Sequence, residues 1–173
     1  MRNESQLDRL SQRIKEGNEL VREARTGAVE SIIALDSMLT WIIVCYFTLD
    51  KSKEGMFYEM LTLLTTSQKI EAFSNLETTR GIKFSKRYKI IVQRLQLVNS
   101  YRNTMVHGFP SVLYDTKLWR GRGKLLPFSL TRKLVRRMDE VGESTLDSLT
   151  KVFDLVLKKR NVRQGPKGTR TVG

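Results

Sequence analysis

Apolar residues recur at three- and four-residue intervals along most of the chain, which is the spacing of amphipathic helices. The second of these segments is apolar on several faces, as expected of the central helix of a bundle. The predicted helices cover, approximately, residues 4–25, 28–49, 57–64, 65–76, 85–107 and 130–160. The pattern therefore predicts an all-α fold, a bundle of four to five helices.

The segment between the last two helices breaks this pattern. Gly108 and Pro110 predict the end of the preceding helix, because glycine at a helix C-terminus and proline just beyond it stop helical geometry. Residues 109–129 are predicted to form an irregular loop, with enough β-forming residues for a small hairpin. We expect one helical domain over residues 1–160, followed by a flexible basic tail over residues 161–173.

The charge of the chain is strongly positive. Thirty-one lysines and arginines oppose 18 acidic residues, giving a net charge of +13. This favours a polyanionic partner, nucleic acid first and an anionic membrane surface second, although a solubilising surface would also be basic. No acidic residue occurs between Glu77 and Asp115. The residues predicted to bind nucleic acid are Arg80, Lys83, Lys86, Arg87, Lys89, Arg120, Arg122 and Lys124.

Localisation and cofactor use are predicted from the same composition. Cys45 is the only cysteine and lies in an apolar run, as expected of a packed thiol in the reducing cytoplasm. That run is shorter than the roughly 20 residues that span a bilayer, and the N-terminal segment is polar. A single histidine and a single cysteine form no metal-ligand cluster. We therefore expect a soluble cytoplasmic protein without a membrane partner, a metal or another cofactor.

Two charged residues occupy positions where the helical pattern calls for apolar ones. Arg102 follows Ile91, Leu95 and Val98 on one stripe, and Asp36 lies on the inner stripe of the second predicted helix. Because a lone buried charge is costly, we predict that Asp36 and Arg102 pair within the bundle. The alternatives are that the Arg102 head group reaches water and that Asp36 binds local backbone or water.

The only histidine lies at the end of the same helix, in the stretch "LVNSYRNTMVHGFP". His107 is about 40° around the helix from Asn103 and about 140° from Arg102, so Arg102 flanks a shared Asn103–His107 face. Unpaired carbonyls at a helix C-terminus favour a cationic imidazole, which suits proton transfer, although a histidine there can also serve only as a cap. An arginine and a histidine in a basic field suit a phosphodiester. Nearby Tyr101 is predicted either to stack on a base or to pack in the core.

The segment "RNTMVH" resembles the R-x4-6-H motif of HEPN domains, which are bundles of four or five helices. In this chain, as in HEPN domains, a long apolar helix is followed by a short helix and then by a long helix. The motif lies near the end of that last helix. The resemblance covers about residues 5–158. It implies that Arg102 is the motif arginine, Asn103 the polar residue after it, and His107 the motif histidine.

The family resemblance also implies an activity. Many HEPN proteins are metal-independent endoribonucleases that act as toxins or anti-phage effectors, sometimes with an inhibitor or antitoxin protein. The implied site forms where two motifs face each other in a homodimer. It cleaves single-stranded RNA by attack of the 2′-hydroxyl, with Arg102, Asn103 and His107 as catalytic residues and Asp36 as a supporting one.

One residue departs from the family pattern. Phe109 occupies the place where HEPN toxins that are regulated by a nucleotidyltransferase carry a tyrosine, so adenylylation at that position is not expected. Some HEPN domains are inactive. The alternative function is therefore a non-catalytic helical module that binds nucleic acid or a partner protein through its basic face.

Overall fold

The structure is a computed structural model that describes residues 2–48, 50–76, 88–111, 114–120 and 126–164. Side chains are described for residues 6–48, 50–76, 88–108 and 129–161. Most of the described residues are helical, so the predicted all-α bundle is confirmed. The helices are α1 (Arg2–Phe47), α2 (Glu54–Thr62), α3 (Thr66–Ser74), α4 (Tyr88–His107) and α5 (Arg132–Gln164), with a short 3-10 helix at Lys51–Lys53.

Helix α1 is one continuous helix of 46 residues, so the prediction of two separate helices is wrong. The chain remains helical through Thr26 and Gly27, where the prediction placed the junction. A Cβ atom at Gly27 would lie 3.2 Å from Oδ1 of Asp139 on α5. This glycine therefore allows a close approach of two helices, and it does not end the first of them.

The other helix ends follow the local signals in the sequence. Thr65 and Gln68 form a reciprocal capping box at the start of α3, with the Thr65 N–H donating to Gln68 Oε1 at 2.8 Å. The N–H of Gly108 donates to the carbonyl of Thr104 at 2.8 Å and closes α4. Helix α5 continues to Gln164, beyond the predicted end near residue 160. Residues 165–173 of the predicted tail lie outside the described part of the chain.

The segment predicted as a loop with a small hairpin contains three short strands. They are β1 (Phe109–Ser111), β2 (Tyr114–Arg120) and β3 (Leu126–Ser129), paired antiparallel in that order. Phe109 is opposite Trp119 in the first pair, and Lys117 is opposite Ser129 in the second. The hairpin is therefore part of a small three-stranded sheet that directly follows α4.

The chain divides into two compact units. Unit 1 contains Met1–Ile32 and Leu97–Glu143, which include the first part of α1, the end of α4 and the sheet. Its core is apolar and comes from three helices and the residue Leu130. The buried apolar residues of unit 1 are Leu20, Val21, Ala24, Ala28, Ile32, Val98, Tyr101, Met105, Leu130, Val135 and Met138.

Unit 2 contains Ile33–Gln96 and Ser144–Gly173. Its core includes Leu39 and Ile43 from α1, and Phe73 from α3. Ile33 and Phe47, predicted on the same inner stripe as Leu39 and Ile43, are exposed instead. It also holds a buried polar cluster: Arg160 is 5% exposed, forms an ion pair with Glu54, and donates from Nη1 to the Cys45 sulfur at 3.7 Å. Cys45 is buried, as predicted for a packed thiol, and burial raises the pKa of this thiol.

A window of 18 residues in α1, within Gln6–Phe47, has a mean hydropathy of 1.8 and is apolar enough by length and composition to cross a membrane. Half of this window is buried inside the protein. The core helix of a soluble protein has the same properties, because the most buried helix of a bundle is apolar on several faces. The predicted cytoplasmic location stays a prediction.

Candidate active site at the end of helix α4

The last turns of α4 carry the three residues predicted to be catalytic, two of which are in contact. Arg102 and Asn103 are half-buried, and Nη1 of Arg102 donates to Oδ1 of Asn103 at 3.0 Å. His107 is exposed at the final residue of the helix. Asn103 thus helps to orient the guanidinium, and the imidazole is accessible to a ligand in solution.

The guanidinium of Arg102 has no anionic partner among the described residues. Its Nε is buried and has no hydrogen-bond partner among the described residues. Neither of the two ion pairs between described residues includes Arg102. Since the amide of Asn103 is neutral, it leaves the positive charge of Arg102 uncompensated. An arginine in this state is suited to binding an anionic ligand such as a phosphate.

Arg25 of α1 contacts the same end of α4, and it was not among the residues predicted from the sequence. Its Nε donates to the carbonyl of Met105 and its Nη2 to the carbonyl of Gly108, both at 2.9 Å. Carbonyls in the last turn of a helix lack partners within the helix. From the sequence, these carbonyls were expected to stabilise a cationic imidazole at His107. In the structure, two of the carbonyls at this helix end accept hydrogen bonds from Arg25.

Asp36 does not form the predicted pair with Arg102. Its Oδ2 lies 2.5 Å from Nζ of Lys69, and its Oδ1 accepts a hydrogen bond from Oγ1 of Thr66 at 2.9 Å. Lys69 is 3% exposed and Asp36 is 27% exposed. The carboxylate therefore neutralises a buried ammonium group within unit 2, which explains its place on an apolar stripe.

The predicted nucleic-acid-binding residues fall mostly outside the described part of the chain. Lys89 is exposed in the first turn of α4. Arg120 is the last residue of β2, where only the backbone is described. The remaining six, which lie outside the described residues, are Arg80, Lys83, Lys86, Arg87, Arg122 and Lys124. Their role stays a prediction.

Tyr101 packs in the core of unit 1, at 7% exposure, and is not available to stack on a base. Its hydroxyl is buried and has no hydrogen-bond partner among the described residues. Burial, assisted by the negative charge of Asp139, raises the pKa of Tyr101 to about 12. Of the two roles predicted for Tyr101, core packing is therefore the correct one.

Unit 1 also contains an acidic groove of about 750 Å³ between α1 and α5. Burial raises the pKa of Asp139 in this groove, and the neighbouring Glu23 and Glu143 raise it further. A phosphate would be repelled by this concentration of carboxylates. The charged residues that line the groove are Glu19, Arg22, Glu23, Glu30, Asp139 and Glu143.

No group of three or more histidine, cysteine, aspartate or glutamate residues in the described part of the chain is arranged to hold a metal ion. Comparisons of the chain with protein family models, curated proteins and solved structures found no match. The resemblance to HEPN domains therefore rests on the motif, its place at the end of α4 and the order of the helices.

Proposed function

We propose that this protein is a HEPN-type endoribonuclease that cleaves single-stranded RNA without a metal ion. The observation that carries the proposal is the arrangement at the end of α4. There the half-buried Arg102 guanidinium is held by Asn103, has no anionic partner among the described residues, and lies in the same last turns of the helix as the exposed imidazole of His107. These are the two chemical functions that phosphodiester cleavage requires, an anion-binding fork and a proton-transfer group.

The proposed reaction is an internal transesterification. The RNA 2′-oxygen attacks the adjacent phosphorus and loses its proton, while the bond between phosphorus and the 5′-oxygen breaks and that oxygen gains a proton. The products are a 2′,3′-cyclic phosphate and a 5′-hydroxyl. Arg102 would bind the non-bridging oxygens and stabilise the charge that develops on them, and His107 would transfer a proton.

A homodimer would suit this chemistry. The reaction needs one group to accept a proton and another to donate one, whereas each chain has a single histidine. Two copies related by a two-fold axis, with their α4 ends facing, would supply two imidazoles and two guanidinium groups to one composite site. The exposure of His107 leaves it free to meet a second copy.

The cellular role proposed is that of a toxin or anti-phage effector acting in the cytoplasm, held in check by an inhibitor or antitoxin protein. This part of the proposal is supported by the motif alone. A non-catalytic RNA-binding module is the second candidate, and it is favoured by the uncompensated charge of Arg102, which can bind a phosphate without any proton transfer.

The test is incubation of labelled single-stranded RNA, and of DNA of the same sequence, with the protein in EDTA. We expect cleavage of RNA alone, because only RNA carries the attacking 2′-hydroxyl. His107→Ala should reduce the rate by about 10²–10⁴-fold. Val106→Ala is the matched control, since Val106 is the exposed neighbour of His107 and belongs to no proposed catalytic group.

The result can also exclude the nuclease. Cleavage at the same rate by the wild-type protein and by His107→Ala would rule out the assignment, as would cleavage of DNA. Binding of RNA without cleavage would favour the non-catalytic module. In that case Arg102→Ala should weaken binding more than His107→Ala does, because the guanidinium carries the phosphate contact.

A further inference from the structure

Arg25 links α1 to the end of α4, the helix that carries Arg102, Asn103 and His107, by hydrogen bonds. One guanidinium donates two hydrogen bonds, to carbonyls of residues that lie on either side of His107 in the sequence, Met105 and Gly108. Two bonds from a planar group fix both the position and the rotation of the segment that accepts them. Helix ends fray where such contacts are missing.

The imidazole of His107 has no comparable support of its own. It is exposed, and none of the hydrogen bonds between described residues involves its ring. Its position therefore depends on the backbone of the last turn of α4. That backbone is the part of the helix that Arg25 contacts.

The bonds from Arg25 also have an electrostatic consequence. The carbonyls at a helix C-terminus carry a partial negative charge, which is unfavourable for a phosphate. Arg25 covers two of these carbonyls with a positive group. The end of α4 is thereby made compatible with an anionic ligand, although a helix C-terminus alone is not.

From these contacts we infer that Arg25 is a positioning residue of the candidate site, holding His107 in the orientation that proton transfer needs and masking the negative end of α4. This inference rests on the proposed ribonuclease function. Arg25 binds backbone carbonyls that are 80 and 83 residues away in the sequence, so these bonds form only in the folded protein.

The test compares Arg25→Gln and Arg25→Lys with Arg13→Gln, a control that removes an exposed arginine from the same helix. RNA cleavage is measured well below the unfolding temperature of each variant. Arg25→Gln should lower kcat by about 10–100-fold, since displacing a catalytic group by about 1 Å can cost 10²-fold. KM should rise because the uncovered carbonyls repel the phosphate, but by less than kcat falls, because Arg102 still binds it.

The lysine variant separates positioning from charge. Lysine keeps the positive charge but cannot bind two carbonyls in a fixed plane, so Arg25→Lys should recover only a small part of kcat. Since His107 is the only histidine, its ring signals in an NMR spectrum can be assigned directly. In Arg25→Gln these signals should shift or broaden, whereas those of Arg13→Gln should match the wild type.

The outcomes distinguish this inference from the proposed function. If the wild-type protein does not cleave RNA, the proposed function falls. If the wild type cleaves RNA and Arg25→Gln, folded and with unchanged His107 signals, has the same kcat, Arg25 is not a positioning residue. A variant that loses activity only in proportion to its unfolded fraction would likewise show a purely structural role.

Discussion

Replacing either member of the Asp36–Lys69 pair should destabilise unit 2, but by unequal amounts. Asp36→Asn leaves the ammonium group of Lys69, which is 3% exposed, without its counter-charge. Lys69→Met leaves the carboxylate of Asp36, which is 27% exposed and still accepts the hydrogen bond from Thr66. The stranded charge is more deeply buried in the first case, so the first substitution should cost more.

The magnitudes follow from burial. Removing one partner of a buried ion pair costs about 3–5 kcal/mol. Because Asp36 is partly exposed, the pair is not fully buried, and Asp36→Asn should lower the free energy of unfolding by about 3 kcal/mol. In Lys69→Met, methionine retains the apolar part of the lysine side chain. The carboxylate of Asp36 loses the ammonium group as a partner, but it remains partly exposed to water. That variant should lose about 1–2 kcal/mol. The double variant should be no less stable than Asp36→Asn, because it strands no charge.

The free energy of unfolding is measured by urea denaturation, followed by circular dichroism, with equal m-values as the condition for comparing variants. Lys158→Met is the control, since Lys158 is exposed on α5 and its loss should change stability by less than about 0.5 kcal/mol. Equal costs for Asp36→Asn and Lys69→Met, or a larger cost for Lys69→Met, would refute the reasoning from burial. A lower kcat in folded Asp36→Asn would restore Asp36 as a supporting residue.

Two further predictions concern buried or crowded polar groups in unit 1. Tyr101→Phe removes a buried hydroxyl without a described partner, so the free energy of unfolding should stay the same or rise by up to about 1 kcal/mol; a loss of that size in urea denaturation would show that the hydroxyl is bonded. Asp139→Asn should stabilise the protein at pH 7 but not near pH 3. Burial and two glutamates raise the pKa of Asp139 in the folded state. The contribution of Asp139 to the free energy of unfolding is therefore fully favourable below its pKa in the unfolded chain, and it is lost as the pH rises through its pKa in the folded protein. Urea denaturation at both pH values measures the difference, and an equal effect at the two would contradict this account.

The helices were predictable because their cores repeat with helical spacing. The stripe of Ile91, Leu95 and Val98 identified from the sequence is buried in the structure. The predicted break between residues 25 and 28 was wrong because a glycine such as Gly27 can mark either a helix end or a close approach of two helices, and only the position of α5 decides between them. The pattern along one helix contains no information about its neighbour.

The same limit explains the error at Asp36. The stripe correctly showed that this charge needed a partner, but both Arg102 and Lys69 were available to pair with it. Lys69 lies four residues before the buried Phe73 on α3, so it also occupied an inner position, and this signal was overlooked. Which of two cations a buried carboxylate meets depends on which helices face each other.

Arg25 could not have been found from residue types at all. Its partners are the carbonyls of Met105 and Gly108, and every residue carries such a carbonyl whatever its side chain. A motif search detects Arg102, Asn103 and His107 because their side chains are distinctive and closely spaced. It cannot detect a residue on another helix that acts on the backbone of the motif.

The net charge of +13 also conceals an uneven distribution within unit 1. The groove between α1 and α5 holds five carboxylates and one arginine, whereas the end of α4 holds Arg102 and Arg25 without an acidic partner among the described residues. An RNA strand drawn to the protein by its overall charge would be repelled from the groove and attracted to the end of α4. In the proposed nuclease, this contrast would select where on unit 1 a phosphodiester binds, because attraction by net charge alone has no preferred site.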